Sequence, residues 1–258
     1  MFDQTTAAQA AERDLGAIID RLDGLADADW RLPVRCQGWQ VTDLAAHLVA
    51  ASRGHAEGLR RAAAGVTEPA ALAPPADRDP RSLTAALKDG RDRLLSALGE
   101  LPTRALAGGV PLPAGLLPAT VALQIVPLEY GFHRNDLDWA LGSPADLGPD
   151  IASTLLATLP GMLPLLAAGS PIHSHGTVPA EPVSFRLAAP GGRFLASHDG
   201  NTWSVTADDG HAAVTCEISG GDSPVALFVM GRIDADHPSL TVTDPGAAAA
   251  FKRYFPGP

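Results

Sequence analysis

Apolar residues in the first two thirds of the chain recur at intervals of three and four, which predicts amphipathic helices. Leu15, Ile18, Ile19, Leu22 and Leu25 form one stripe within residues 7–27. A second helix is expected from near Val41 to about Ala64. Leu83, Leu87, Leu94 and Leu98 mark a third over residues 81–100. Residues 65–80, rich in Pro and Ala, read as a loop, and Pro102, Pro111 and Pro113 punctuate the next connection. A fourth helix is expected from Pro118 to Leu141, with Pro118 suited to its first turn. Pro127 inside it should bend it or free a carbonyl. A fifth helix, over residues 149–166, is interrupted by Pro160 and Pro164. This succession predicts a four/five-helix bundle.

The period shortens toward the C-terminus. VSFRLAA, RFLAS, TWSVTA and AAVTCEIS are short alternating runs separated by Gly, Asp and Asn, and they read as strands. SPVALFVMG fits a short helix on that sheet, SLTVTD another strand and PGAAAAFKRYF a closing helix. The fold class expected is therefore α+β. A helical bundle should occupy residues 1–166, a Gly- and Pro-bearing linker residues 167–182, and a small α+β domain residues 183–258.

Composition narrows the function classes. The 258 residues are 46% apolar, enough for a buried core. A net charge of −10 with no basic run is wrong for nucleic acid or an anionic membrane surface. No uninterrupted apolar stretch approaches the roughly 20 residues of a membrane helix. The opening MFDQTTAAQAAERDLG lacks the basic start and apolar block of a secretory signal. Cys36 and Cys216 lie far apart in sequence, so no disulfide framework is expected and a reducing, cytoplasmic setting is the default. The scarcity of lysine (only Lys88 and Lys252) beside abundant Ala, Gly and Pro suggests a GC-rich genome.

Three residues stand out as candidate metal ligands. Glu129 and His133 are four apart on the fourth predicted helix, so their side chains project to one side, one turn apart. They flank the stripe of Val121, Ile125, Leu128 and Phe132, where an unpartnered carboxylate would be costly. His47 shares a face of the second helix with Leu44, Leu48 and Ala51. Each has a plainer reading. Glu129 and His133 also make an ordinary helix pair, and a lone histidine on an apolar face is commonly a satisfied core residue. Together, two His and one Glu from two bundle helices can face one ion. Three protein ligands leave a zinc position open, the catalytic arrangement.

Asp136, three residues after His133, could accept its second ring N–H, and Asp43 could do the same for His47. Ordinary capping or surface roles compete for both. Cys36 precedes the second helix and reads first as a small buried apolar residue. His173 and His175 fall in the linker and read as exposed polar residues. Trp30, Trp39 and Trp139 are expected to pack between helices.

Two segments carry a family resemblance. WRLPVRCQGWQVTDLAAHLV, residues 30–49, resembles the N-terminal signature of the mycothiol-dependent maleylpyruvate isomerase family, of the DinB-like bundle superfamily, in its Trp30, Pro33, Cys36, Gly38, Trp39, Val41, Asp43 and His47. LEYGFHRNDLDWALG, residues 128–142, resembles the second signature, a Glu four residues before a His with a closing Ala-Leu-Gly. TWSVTADDG, AAVTCEISG and ALFVMGRID resemble a small second domain similar to sterol-carrier folds.

The resemblance implies zinc held by His47, Glu129 and His133, mycothiol as thiol cosubstrate, and a small electrophilic substrate. It also implies an arginine of the second domain near the active site, matched through its Gly-Arg context to Arg232. A salt bridge with Asp234 or Asp236 is the competing role for Arg232. The site would lie in the bundle, at a cleft facing the small domain, in a monomer or homodimer of actinobacterial type. The implied reaction is cis-trans isomerisation, as of maleylpyruvate, or thiol transfer. Two rivals stay open: a zinc hydrolase on the same scaffold, and a non-catalytic small-molecule binder with a structural metal.

Overall fold

The computed structural model describes residues 2–144, 146–167 and 176–257. The chain forms two compact units, residues 1–145 and 146–258. The first holds α1 (Gln4–Asp23), α2 (Val41–Ala64), α3 (Pro80–Gly99), the short α4 (Thr103–Leu106), a hairpin of β1 (Gly109–Leu112) and β2 (Gly115–Pro118), and α5 (Ala119–Ala140). The α+β class and the four long helices expected of this region are present. The Pro-punctuated connection is more ordered than its composition implies, since it contains α4 and the hairpin.

Local chemistry sets the helix ends. Asp3 and Thr6 form a reciprocal capping box on α1. Asp79 caps α3 ahead of Pro80, whose missing N–H is harmless in a first turn. Pro118 sits at the N-cap of α5, one residue before the helix. Pro127 lies buried inside α5 without ending it. Leu15 and Ile18 of α1, Leu48 and Leu59 of α2, and Leu83, Leu87 and Leu94 of α3 are all fully buried. Each such side chain contributes about 1.5–3 kcal/mol through removal from water. The hairpin rests on α2 at Gly58, where a Cβ would come within 2.7 Å of the Pro111 carbonyl oxygen, so only glycine admits this approach.

The second unit begins with α6 (Pro149–Ala167) and continues with β3 (Val183–Ala189), β4 (Gly192–His198), β5 (Trp203–Ala207), β6 (Cys216–Gly220), α7 (Asp222–Val229), β7 (Leu240–Val242) and α8 (Pro245–Tyr254). The sheet order is β5-β4-β3-β6-β7. Among the described residues only the β3–β6 pair is parallel, with Phe185 opposite Cys216. Phe185, Leu187, Ile218, Phe228 and Phe251 fill its core.

The boundary between units falls at residues 145/146, earlier than the bundle limit of 166 expected from the helical run. The cause is the destination of α6. Its buried stripe of Ile151, Leu155, Leu156, Leu159 and Leu163 packs against α7, β4 and β5. Ser223 Oγ accepts the Leu147 N–H at 2.8 Å and ties the approach to α6 onto α7. Among the described residues α6 is also the one helix long and apolar enough to cross a bilayer, by length and composition alone. That apolarity serves a face against the sheet. Residues 168–175, with His173 and His175, lie outside the described residues.

Candidate metal centre

α2 and α5 pack against each other, and this brings the three candidate ligands together. His47 Nε2 is 2.6 Å from Glu129 Oε1. His133 Nε2 lies 3.5 Å from the same oxygen. The two imidazoles meet edge to face, with ring centroids 4.9 Å apart. One donor atom from each of the three residues lies within 4.8 Å of the others. His133 is buried, whereas His47 and Glu129 are partly exposed, so the cluster has a solvent-facing side.

The segment before α2 closes one flank. Residues 32–41 fold back on themselves: Val34 N–H donates to the Trp39 carbonyl and Val41 N–H to the Leu32 carbonyl, each at 3.0 Å. At the tip, Trp39 N–H donates to the Cys36 carbonyl, and Gly38 takes φ 77° in the left-handed region that such a turn requires. The turn lays the Trp39 ring 5.1 Å from the His47 ring and brings Cys36 to α5. Trp30 is buried, as expected of a packing residue. Trp139 is 40% exposed and carries the Arg35 guanidinium 5.5 Å from its ring.

The two acidic neighbours separate in role. His133 Nδ1 is 3.0 Å from Asp136 Oδ2, and Asp136 is fully buried. Asp43 instead accepts the Gln40 N–H that starts α2 and pairs with Arg78, both at 3.0 Å. It is a capping residue. Cys36 is buried, as its apolar reading implies, yet its Sγ stands 3.8 Å from Asp136 Oδ2.

Charge is concentrated on the His133 side. Burial alone would push the Glu129 carboxyl up, but the charge and hydrogen bond of His133, then those of His47, hold it well below its usual range. Burial would push His133 down, but the Glu129 charge and hydrogen bonds with Asp136, Cys36 and Glu129 raise it well above its usual value.

Sequence reading missed a second polar pair beside this cluster. His55 Nδ1 and the Tyr130 hydroxyl lie 2.9 Å apart, both buried, linking α2 to α5. Burial lowers His55, with the Glu129 charge opposing and the His47 charge assisting. Burial and then the Glu129 charge push Tyr130 well up. The available signal was spacing: His55 follows His47 by eight residues, two turns along one helix face.

Arg232 lies in the second unit just after α7. It is buried, and its Nη1 donates to the Met230 carbonyl at 2.8 Å. Lys252 lies nearby, donating to the Phe228 carbonyl at 2.7 Å. Burial lowers the lysine to about 8, with Asp234 raising it and Arg232 lowering it.

The first unit is thus a helical bundle with a histidine–glutamate–histidine donor set, followed by a small α+β unit. Residues 11–138, spanning most of α1 through α5, match the mycothiol maleylpyruvate isomerase N-terminal domain. The helical unit therefore carries the N-terminal domain of that isomerase family. No curated protein matches the chain. Among solved structures it is similar to the crystal structure of the mycothiol-dependent maleylpyruvate isomerase, with a TM-score of 0.66, 18% identity, and coverage of 94% of this chain and 93% of that one. The structure of a histidine-to-alanine mutant of that isomerase gives the same values. Identity this low establishes a shared fold.

Proposed function

We propose that this chain is a zinc-dependent enzyme that activates a low-molecular-weight thiol, mycothiol, for attack on an electrophilic small molecule. The observation carrying this reading is the convergence of His47, Glu129 and His133 within 4.8 Å inside a domain of this family. The donor set suits zinc: two imidazole nitrogens and one carboxylate oxygen are borderline-hard ligands, and three of them leave a position open. Bound zinc would supply the positive charge that strips the proton from a thiol.

The chain's own residues prepare that chemistry. His47 and His133 present Nε2 toward Glu129, and Asp136 fixes His133 with its proton on Nδ1. The Glu129 carboxylate would offset part of the charge of a bound ion. The Trp39 ring packs beside His47, tilted against it, and borders that flank of the site. Arg232 is the proposed partner of a substrate carboxylate, to which a guanidinium offers two parallel N–H donors.

With a cis-enone substrate, thiolate sulfur forms a C–S bond at the alkene carbon and the π electrons move to the carbonyl as an enolate. The former double bond then rotates as a single bond. Collapse of the enolate re-forms the alkene in the trans geometry and expels the thiolate unchanged. With electrophiles that cannot eliminate, the same attack ends as an S-conjugate.

The test incubates zinc-loaded protein with mycothiol and a panel of electrophiles that includes maleylpyruvate, followed by mass spectrometry and proton NMR. Thiol-dependent isomerisation or adduct formation is the expected result. Turnover by hydrolysis without any thiol would overturn the proposal in favour of a hydrolase on this scaffold.

A further inference from the structure

Asp136 Oδ2 serves two groups at once. It lies 3.0 Å from His133 Nδ1 and 3.8 Å from Cys36 Sγ. Cys36, His133 and Asp136 form a second convergent group that shares His133 with the first, and all three are buried. His133 thus faces Glu129 through Nε2 and Asp136 through Nδ1. A thiol is a weak donor and a carboxylate accepts through both oxygens, so Cys36 can give its S–H to the oxygen that takes the imidazole N–H. The turn at Gly38 brings Cys36 to this spot, held by the backbone bonds that fold residues 32–41 back on themselves.

We infer that Cys36 is a positioning residue for His133, acting chiefly through Asp136. It donates to Asp136, fixes the carboxylate rotamer and so holds the imidazole in the orientation and tautomer that offer Nε2 to a metal. The inference rests on the proposed zinc centre. Burial at 3% exposure keeps the thiol from acting as a nucleophile toward bulky substrates. The mycothiol sulfur and the Cys36 sulfur therefore have separate tasks.

The test measures zinc affinity by competition with a chromophoric chelator, without any turnover assay. Asp136→Asn should weaken zinc by about 10–100-fold, the usual consequence of losing a partner behind a ligating histidine. Cys36→Ala should weaken it by about 3–10-fold, a smaller part of the same effect. Cys36→Ser restores a donor and should stay within about twofold of wild type. In the Asp136→Asn background, Cys36→Ala should add a smaller loss than it does in wild type, because only its direct contact with His133 remains.

Equal zinc affinity in wild type and Cys36→Ala would overturn the inference while leaving the metal centre intact. So would equal losses in the Ala and Ser variants, or additive losses in the double variant, which mark a packing role. An intense sulfur-to-metal band in the cobalt-substituted protein, absent from Cys36→Ser, would overturn it by making the thiolate a ligand. Wild-type protein that binds no zinc would instead remove the proposed centre itself.

Discussion

The hydrogen bond between His55 and Tyr130 offers a quantitative test of how the site is assembled. It joins α2 to α5 two turns beyond His47, next to Glu129. Tyr130→Phe removes one oxygen and leaves the 7%-exposed His55 ring with its Nδ1 unpartnered. A buried donor or acceptor stranded in this way costs about 1–3 kcal/mol. At an m-value of about 2 kcal/mol/M, a loss of about 2 kcal/mol lowers the urea midpoint by about 1 M. His55→Leu should cost a similar amount by stranding the tyrosine hydroxyl. Tyr130→Phe with His55→Leu should cost less than the sum, by a coupling of about 1–2 kcal/mol, because no polar group is then left without a partner. The assay is urea unfolding of chelated protein followed by circular dichroism at 222 nm, where helix dominates. Strictly additive losses, or a Tyr130→Phe loss below about 0.5 kcal/mol, would refute the view that this bond clamps the two ligand-bearing helices.

Other expectations follow from the same geometry. Gly58→Ala places a Cβ 2.7 Å from the Pro111 carbonyl oxygen, a backbone atom that cannot swing aside. It should destabilise by about 1–3 kcal/mol, read as a lower Tm. Asp14 is fully buried and pairs with Arg134 of α5 at 2.6 Å and Arg13 at 2.8 Å. Asp14→Ala should cost about 1–3 kcal/mol by removing the buried acceptor of Arg134, which is left with Asp138 at 4.0 Å, and a change under about 0.5 kcal/mol in chemical denaturation contradicts this.

In metal-free protein, His133 is raised above 6.5, so its stabilisation is full below that pH and is lost as pH rises through the elevated value. Glu129, depressed below 4.5, stabilises above that pH and loses its contribution as pH falls through the lowered value. The stability difference between wild type and His133→Gln should therefore be larger near pH 6 than near pH 9 without metal. A difference that grows with pH contradicts the assignment.

Much of this was legible from sequence because the long elements carry strong periods. The stripes of α1, α2 and α3 correspond to buried faces, and in β3 Phe185 and Leu187 enter the core while Arg186 between them is buried by pairing with Asp208 and Glu217. The four-residue strands of the hairpin are too short for alternation to emerge among prolines and glycines. The allegiance of α6 was not legible either. Its apolar stripe says that one face is buried but not that it packs on β5 and α7.

At the site, the i,i+4 spacing of Glu129 and His133 follows from helix geometry, and the meeting with His47 depends on the α2–α5 contact. The pairing of Tyr130 with His55 was not legible, because a hydrogen bond across 75 residues leaves no local mark. Cys36 looked apolar for the same reason. Its burial was readable, but its approach to Asp136 depends on a turn joining two distant segments.

The central claim is that His47, Glu129 and His133 hold one zinc ion. Elemental analysis of purified, buffer-exchanged protein tests it most directly, comparing wild type with His47→Ala, Glu129→Gln and His133→Ala, each checked for folding by circular dichroism. The account predicts about one zinc per wild-type chain and a large loss in each folded variant. A wild-type chain without zinc, or zinc that survives all three substitutions, would contradict it.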